Sequence, residues 1–580
     1  MNHLNQNSFG VQMRLRHLAQ LVVVLACTVV CVSCGQVYRP VVIPITITPP
    51  NPSNFHEVFA INANVPFNPG TGMQVDVSGD TNVGVINIGL NPTHAAILPN
   101  NTRVFVASAG SVVGQSDIVT SFIPAFQAAI GTGLSAGVTI SLPGQTSSIS
   151  AISESGNLVT ATLNAPLNNI GLGDVIVIAG AGIAGYNGTF TVFPISGTTI
   201  QYVNSVTGLA PSLGGTASVP AQPVFLASTQ NDAMYVANYN SSSVAVINTS
   251  LNAVTNSALV GQHPVALAET PNGNKLYVAN QGSNAVSNPV SSLNTVDMSQ
   301  NTVTGFSGSV GITPVWLVSR SDSQKVYVLT QGDGQLVTID TATDTVVSNL
   351  PVGAGANFVF YDPHLNRLYV TNPSTSMVHV FSTTGGANDT PIQLSAISMT
   401  AGPNPPCPSA CTPSSVTALG DGSRFYVASY EIATSCPDPV IGSSSACVIP
   451  RLTVFDANSF AAKTALTLLS SPPFASNPST HQSQYAVPPV ASCAPAALYA
   501  PGTTRFRVFT TASVDSSRVY VSMCDAGSIA IVTTTTSSIS PGGNMPDTLV
   551  RDLAAPFSAA SSSTGGEPPP QSPVFLLTGQ

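Results

Sequence analysis

From residue 55 onward the chain is written in short runs of alternating apolar and polar residues, broken by Gly, Asn, Asp, Ser and Pro. Alternation predicts β-strands, and the breaks predict tight turns. One strand phrase recurs seven times, as Arg103-Val-Phe-Val-Ala-Ser108, Ala233-Met-Tyr-Val-Ala-Asn238, Lys275-Leu-Tyr-Val-Ala-Asn280, Lys325-Val-Tyr-Val-Leu-Thr330, Arg367-Leu-Tyr-Val-Thr-Asn372, Arg424-Phe-Tyr-Val-Ala-Ser429 and Arg518-Val-Tyr-Val-Ser-Met523. Tyr235 and Tyr277 lie 42 residues apart, as do Tyr327 and Tyr369. A period of that length holding only strand signals predicts propeller blades. Within a unit the parts are readable. Pro264-Val-Ala-Leu-Ala268 is one strand, Pro271-Asn-Gly-Asn274 a turn and Leu276-Tyr-Val-Ala279 the next strand, while Gln335–Asp340 and Thr345–Leu350 supply a third and fourth in a later unit. The fold class predicted is all-β: a propeller of four-stranded antiparallel blades that must stack in a ring, since one blade cannot bury both its faces.

The ends predict how the ring closes. Asp547-Thr-Leu-Val-Arg-Asp-Leu553 matches Asp344-Thr-Val-Val-Ser-Asn-Leu350 without a gap, so the last full unit owns its outer strand. Beyond it Pro573-Val-Phe-Leu-Leu-Thr578 resembles the inner strand Pro223-Val-Phe-Leu-Ala-Ser228, with nothing following. At the other end, strand signals at 56–62, 73–77 and 83–87 lack an inner partner. Joining the two makes an eighth, composite blade and pairs edges that would otherwise be free; seven blades is the alternative.

These phrases resemble the YVTN family of β-propeller repeats found in bacterial and archaeal surface proteins, whose name motif stands outright in Arg367-Leu-Tyr-Val-Thr-Asn372. The resemblance covers most of 55–580 apart from insertions. It implies a propeller but not an activity, because one fold hosts many. YVTN repeats are also similar to the propellers of 6-phosphogluconolactonase-like lactonases and quinoprotein dehydrogenases, which implies, as the alternative reading, an enzyme with its site in the central channel.

The 130 residues from Phe105 to Tyr235 exceed one unit. The excess, 147–218, holds strand signals around Gly171-Leu-Gly-Asp-Val-Ile-Val-Ile178, Gly185-Tyr-Asn-Gly-Thr-Phe-Thr-Val192 and Thr199-Ile-Gln-Tyr202. A compact all-β insert is predicted. It resembles a small β module recurring in bacterial and phage surface proteins as an adhesive or spacer domain; a long propeller loop is the competing reading. Residues 472–503, rich in Pro, Ser and Ala, are expected to cross one face of the ring as a loop.

The amino end reads as an address. Arg14 and Arg16 precede an apolar run from Leu21 to Val32, too short to span a bilayer. Cys31-Val-Ser-Cys34-Gly35 resembles the bacterial lipobox, with Cys34 as the lipidated residue, although Cys31 stands where Leu is usual. An ordinary signal peptide cut nearby is the competing reading. The organisation expected is therefore signal and lipobox at 1–34, a Pro-rich tether at 35–54, propeller at 55–146, insert at 147–218 and the remaining propeller at 219–580. The chain is then an envelope lipoprotein, on the periplasmic side or the cell surface.

Composition narrows the function. Only 7% of residues are charged, and the net charge is −9. This excludes coiled coils and charge-rich disorder, and it argues against nucleic acid, whose backbone requires clustered cations. Six of the 15 Lys and Arg residues (Arg103, Lys275, Lys325, Arg367, Arg424, Arg518) stand two residues before the repeat aromatic. A position filled by the repeat is structural, so few cations remain for a substrate clamp. Outside the signal region the cysteines are Cys407, Cys411, Cys436, Cys447, Cys493 and Cys524. An even number in an exported chain suggests disulfides. Proximity favours Cys407–Cys411 and Cys436–Cys447, although six cysteines allow about 15 pairings. Among these six no Cys-x-x-Cys pair occurs, so no metal is expected.

Glu is confined to Glu57, Glu154, Glu269, Glu431 and Glu567, and no acid–base pair is visible. Gly180-Ala-Gly-Ile-Ala-Gly185 spells a dinucleotide fingerprint, but a strand phrase follows it where a helix is required. Trp316 lies on an apolar strand and is expected in the core. His94 and His263 stand at inner-strand entrances, which can face the channel, and are weak candidates for a channel site. No catalytic residue and no cofactor is expected. The leading reading is a binding or scaffold surface for protein, carbohydrate or envelope polymer, with the membrane reached only through the lipid.

Mass spectrometry of the mature amino terminus should find a diacylglyceryl modification on Cys34. An unmodified start downstream of Cys34, or identical membrane fractionation of Cys34→Ser, would refute the anchor.

Overall fold

The computed structural model describes residues 57–579, apart from 65–67, 111–116, 126–133, 135, 283–291, 298–301, 306–309, 402–405, 408–410, 470–483, 497–498, 500–501, 536–546 and 559–568. Cys34 and the signal and tether segments lie outside the described residues. The described part is all-β, with strands arranged in eight four-stranded antiparallel sheets and one closed six-stranded barrel.

Seven sheets are each built from four consecutive strands, as the seven repeat phrases predict. They are blade 1 (92–141), blade 2 (223–259), blade 3 (264–305), blade 4 (314–351), blade 5 (358–398), blade 6 (412–467) and blade 7 (508–554). The eighth is shared by the two ends: Ser572–Thr578 is its inner strand, and Glu57–Asn64, Asn68–Asp76 and Thr81–Asn87 complete it. Phe59 faces Leu577, Ala60 faces Leu576 and Ile61 faces Phe575. The inner strands touch in sequence around the ring, and Ser572–Thr578 packs against those of both blade 7 and blade 1.

Each repeat phrase is the second strand of its blade. Its Tyr or Phe and the following Val are buried, because both faces of a blade are covered by neighbours. The repeat cation and tyrosine bracket one blade to the next. Lys275 Nζ lies 2.8 Å from Asp344 on blade 4, and the Tyr277 hydroxyl donates to the same carboxylate at 2.5 Å. Arg424 and the Tyr426 hydroxyl both donate to Asp547 on blade 7 at 2.6 Å. Arg518 forks onto Asp80 on blade 8, which ties the chain's two ends a second time. Arg103 reaches Asn252 of blade 2, and Arg367 the Ala457 carbonyl of blade 6. Lys325 instead pairs within its own blade, with Asp340 at 2.6 Å, while Arg320 crosses to Asp389 of blade 5. The acceptors Asp344, Asp547, Asp80 and Asn252 sit in turns with φ of 50° to 60°. Asp and Asn tolerate this left-handed conformation better than other non-glycine residues.

The barrel spans Gln145–Val219, two residues earlier and one later than the predicted 147–218. It has its own hydrophobic core, including Ile149, Val159, Ile176, Tyr186, Ile200 and Tyr202. Three disulfides join Cys407 to Cys411, Cys436 to Cys447 and Cys493 to Cys524.

Deleting Ser572–Gln580 would uncover the edge of Glu57–Asn64 and remove four buried apolar side chains, Val574 to Leu577. At about 1.5–3 kcal/mol each, these rival the whole ~5–15 kcal/mol stability of a domain. Thermal denaturation of the truncated chain should show a midpoint lowered by roughly 10 °C or more, with self-association through the open edge. An unchanged midpoint and a monodisperse protein would contradict the closure.

Candidate functional site

The inner strands decide what the channel contains. Five of them carry Pro at or near the start (Pro92, Pro223, Pro264, Pro314, Pro413), and a sixth does so at Pro573. Proline has no N–H to donate to the ladder, and the next residue bulges out of register in each case. A bulge re-aims side chains. The bulged Thr93, Val265, Val315, Ser414 and Val574 line cavities at this end of the ring, and the residues after the bulges include most of the aromatic side chains that pack together at its centre.

The positions after the bulges are His94, Phe225, Ala266, Trp316, Ser415 and Phe575; Phe358 and Phe509 occupy the equivalent places in blades 5 and 7. The aromatic members pack on one another. The ring centroids of His94 and Phe225 are 3.9 Å apart, of Phe225 and Trp316 5.1 Å, of Trp316 and Phe358 4.9 Å, and of Phe509 and Phe575 4.6 Å. Phe506 fills the space between Trp316, Phe358 and Phe509. The channel is therefore plugged. Trp316 is buried as expected, but as part of this plug.

Above the plug, at the starts of the inner strands of blades 3 to 6, lies a cavity of about 500 Å³. The bulged Val265, Val315 and Ser414 and the equivalent Asn357 form its rim. Gln331, Ser374, Thr412 and Tyr430 line its sides, and Pro495, Ala496, Tyr499, Thr504 and Arg505 its roof. The roof belongs to the insertion between blades 6 and 7. It is anchored by the Cys493–Cys524 disulfide, by the buried Arg507–Asp525 pair at 2.8 Å, and by Asp525 accepting from the Val490 backbone. This is the part of 472–503 expected to cross a face; residues 470–483 lie outside the described residues.

Arg505 sits where roof meets plug. Its guanidinium lies 4.1 Å from the Tyr499 ring centroid, 5.3 Å from Trp316 and 5.6 Å from Phe225. Nη2 donates to the Val265 carbonyl at 2.8 Å. Nη1 and the Tyr499 hydroxyl have no hydrogen-bond partner beyond one another. Burial lowers the Arg505 pKa, partly offset by Tyr499, and burial raises the Tyr499 phenol.

The structure separates the two candidate histidines. His94 is buried in the plug, where Nδ1 accepts from the Leu226 N–H at 3.2 Å. Burial first, and then the Arg505 charge, hold it well below the usual imidazole range, so it is neutral. His263 belongs to a different contact. Its Nε2 lies 2.5 Å from Asp174 of the barrel and its Nδ1 2.5 Å from the Gly282 carbonyl, and it stacks on Tyr239 at 4.3 Å. It docks the insert. Around it Asn240 exchanges two hydrogen bonds with Val175, and Asn169 donates to the Val260 carbonyl. A Cβ at Gly171 would lie 3.1 Å from the His263 ring, so glycine there leaves room for the close approach of the barrel. Tyr239 also meets Tyr499 edge to face, at 6.4 Å. The two histidines form no joint channel site.

Among the described residues no three His, Cys, Asp or Glu side chains converge as a metal site would require. Glu269 accepts from the Thr229 backbone, and Glu431 faces Arg451; neither lines the cavity. Arg505 and Tyr499 escaped sequence reasoning because they stand in an insertion outside the repeat. The plug did carry a signal: an aromatic or histidine two residues after an inner-strand proline, in Pro92-Thr-His94, Pro223-Val-Phe225, Pro314-Val-Trp316 and Pro573-Val-Phe575.

No protein-family model matches the chain, and no curated protein matches its sequence. Solved structures resemble it at low identity. The periplasmic gluconolactonase of Pseudomonas aeruginosa superposes with a TM-score of 0.40 at 12% identity, over 71% of this chain and 94% of its own. The hydrazine synthase of Kuenenia stuttgartiensis does so with a TM-score of 0.37 at 15% identity, over 54% of this chain and 77% of its own. Likeness at this level carries no functional argument, and the propeller rests on the sheet order itself.

Gln145 and Val219 face each other across adjacent strands, so a short Gly/Ser turn can replace the barrel. The excised protein should keep the cooperative unfolding of the ring, with a midpoint lowered by exposure of His263 and Tyr239. Loss of that transition in calorimetry would show that the ring depends on the barrel.

Proposed function

We propose that the chain is a YVTN-type propeller, exported and lipid-anchored in the bacterial envelope, whose roofed cavity binds a ligand without transforming it. One observation carries this reading. Among the described residues the cavity is walled by hydroxyl, amide and apolar groups, and its ionisable lining consists of Tyr430, Tyr499 and Arg505, with neither carboxylate nor imidazole. Such a wall can hydrogen-bond and pair charge, but it offers no group titrating near neutrality to move a proton. The volume falls in the ~300–1,000 Å³ range of small-molecule sites. Three disulfides agree with an oxidising compartment. Soluble envelope sugars, short glycans and peptides are the partners proposed.

The lactonase-like alternative would require a base within reach of a water or substrate hydroxyl. His94 is buried in the plug with one ring nitrogen committed to a backbone N–H.

The reading is tested by incubating the protein with a pool of envelope-derived saccharides and peptides, isolating what it retains, and comparing Ser374→Tyr, which narrows the mouth. The expected result is a retained species, chemically unchanged and at least tenfold depleted with the variant. Consumption of the species, or conversion of a sugar lactone above the buffer rate, would establish the enzyme instead.

A further inference from the structure

We infer that the cavity takes a small monocarboxylate, held through its carboxylate by Arg505 and Tyr499. The inference rests on reading the cavity as a binding site and names the chemistry of its ligand.

Two polar atoms in one corner of the lining, Nη1 of Arg505 and Oη of Tyr499, have no hydrogen-bond partner beyond one another. Buried polar groups are ordinarily paired, and a buried charge is ordinarily matched by a counter-charge. Arg505 has neither: no carboxylate of the described residues forms an ion pair with it, and its neighbours are the faces of Tyr499, Trp316 and Phe225 and one backbone carbonyl. Aromatic faces stabilise a cation but accept no conventional hydrogen bond. A carboxylate in the cavity would supply the missing charge and accept from both orphan donors, since a guanidinium and a phenol are both donors at neutral pH.

The number of charges selects among anions. Arg505 is the only cation in the lining among the described residues. The next along the chain, Arg507, is bound by Asp525 at 2.8 Å, with both side chains nearly inaccessible. A single uncompensated positive charge matches a carboxylate; a phosphate dianion would bring a second negative charge with nothing to meet it. The walls beyond Arg505 are mixed, with Val265 and Val315 beside Gln331 and Ser374, and accommodate a body with both apolar and hydroxylated parts.

Trp316 reports on this corner. It is the chain's only tryptophan, and the guanidinium lies 5.3 Å from its ring. The mature full chain is titrated with glucuronate and benzoate, with their neutral counterparts glucose and benzyl alcohol, and with inorganic phosphate, while tryptophan fluorescence is followed. At least one monocarboxylate should give a saturable change, at least tenfold tighter than its neutral counterpart and than phosphate. Arg505→Gln should weaken it by tenfold or more, and Arg505→Lys by less. Tyr499→Phe, which removes only the hydroxyl, should weaken it by roughly threefold to tenfold. Binding of the neutral probes as tight as that of the acids, stronger binding of phosphate, or unchanged affinity in a folded Arg505→Gln or Tyr499→Phe would overturn the inference while leaving the cavity a binding site. Silence toward every probe in the wild-type protein would overturn the inference, while the binding reading would still be decided by what the cavity retains from the saccharide and peptide pool.

Discussion

The structure depends on the pairing of Ser572–Thr578 with Glu57–Asn64. A propeller is a closed stack, and each blade is buried only because two others cover it. Were the ends unpaired, blades 7 and 1 would each present an apolar face to water. One short strand meets three demands at once. Its backbone completes the eighth sheet, its side chains Val574 to Leu577 fill the space between blades 7 and 1, and Phe575 joins the aromatic plug by stacking against Phe509 and His94. The Arg518–Asp80 fork then ties the outer part of blade 7 to the blade that carries the amino end.

The low charge of the chain follows from this geometry. Strands covered on both faces have no room for unpaired ionic groups. The cations that remain are spent mainly between blades. Lys275, Arg424 and Arg518 each meet an aspartate set in a left-handed turn of the next blade, and Tyr277 and Tyr426 add a hydroxyl to the same carboxylates. The recurrence of a cation two residues before a tyrosine is thus the trace of a bracket that spaces neighbouring blades, and it says nothing of a ligand.

What repeats was legible in the sequence, and what does not repeat was not. Tyr235, Tyr277, Tyr327 and Tyr369 mark second strands because the same burial recurs in every blade. The terminal strand could be recognised because Pro573-Val-Phe-Leu copies Pro223-Val-Phe-Leu. The insert was visible as strand signals of another rhythm, although its docking was not: His263 and Asp174 are separated by 89 residues, and nothing local marks them as partners. His263 shares its strand-entrance setting with His94, which suggested the channel for both. Yet His94 follows the proline at its entrance and His263 precedes one, and that difference of position sends one ring to the axis and the other to the barrel. Arg505 was illegible for the opposite reason to Arg424, since no second copy of its surroundings exists.

Both large insertions enter the ring at the same kind of place. The barrel leaves the outer strand of blade 1 and returns at the inner strand of blade 2; the roof segment does the same between blades 6 and 7. Such connections run between blades, so lengthening them breaks no ladder within a blade, and the cost of a longer loop grows only slowly with its length. Every connection of this kind returns to the start of an inner strand, the end where the proline bulges turn side chains toward the mouth. The two insertions therefore reach the same rim, where Tyr239 of blade 2 stacks on the barrel-bound His263 and meets Tyr499 of the roof edge to face. The repeat builds a ring whose axis is closed by aromatic rings. The insertions place on one face of it what the repeat cannot supply: a roofed cavity and, in Arg505, a cation that no carboxylate among the described residues answers.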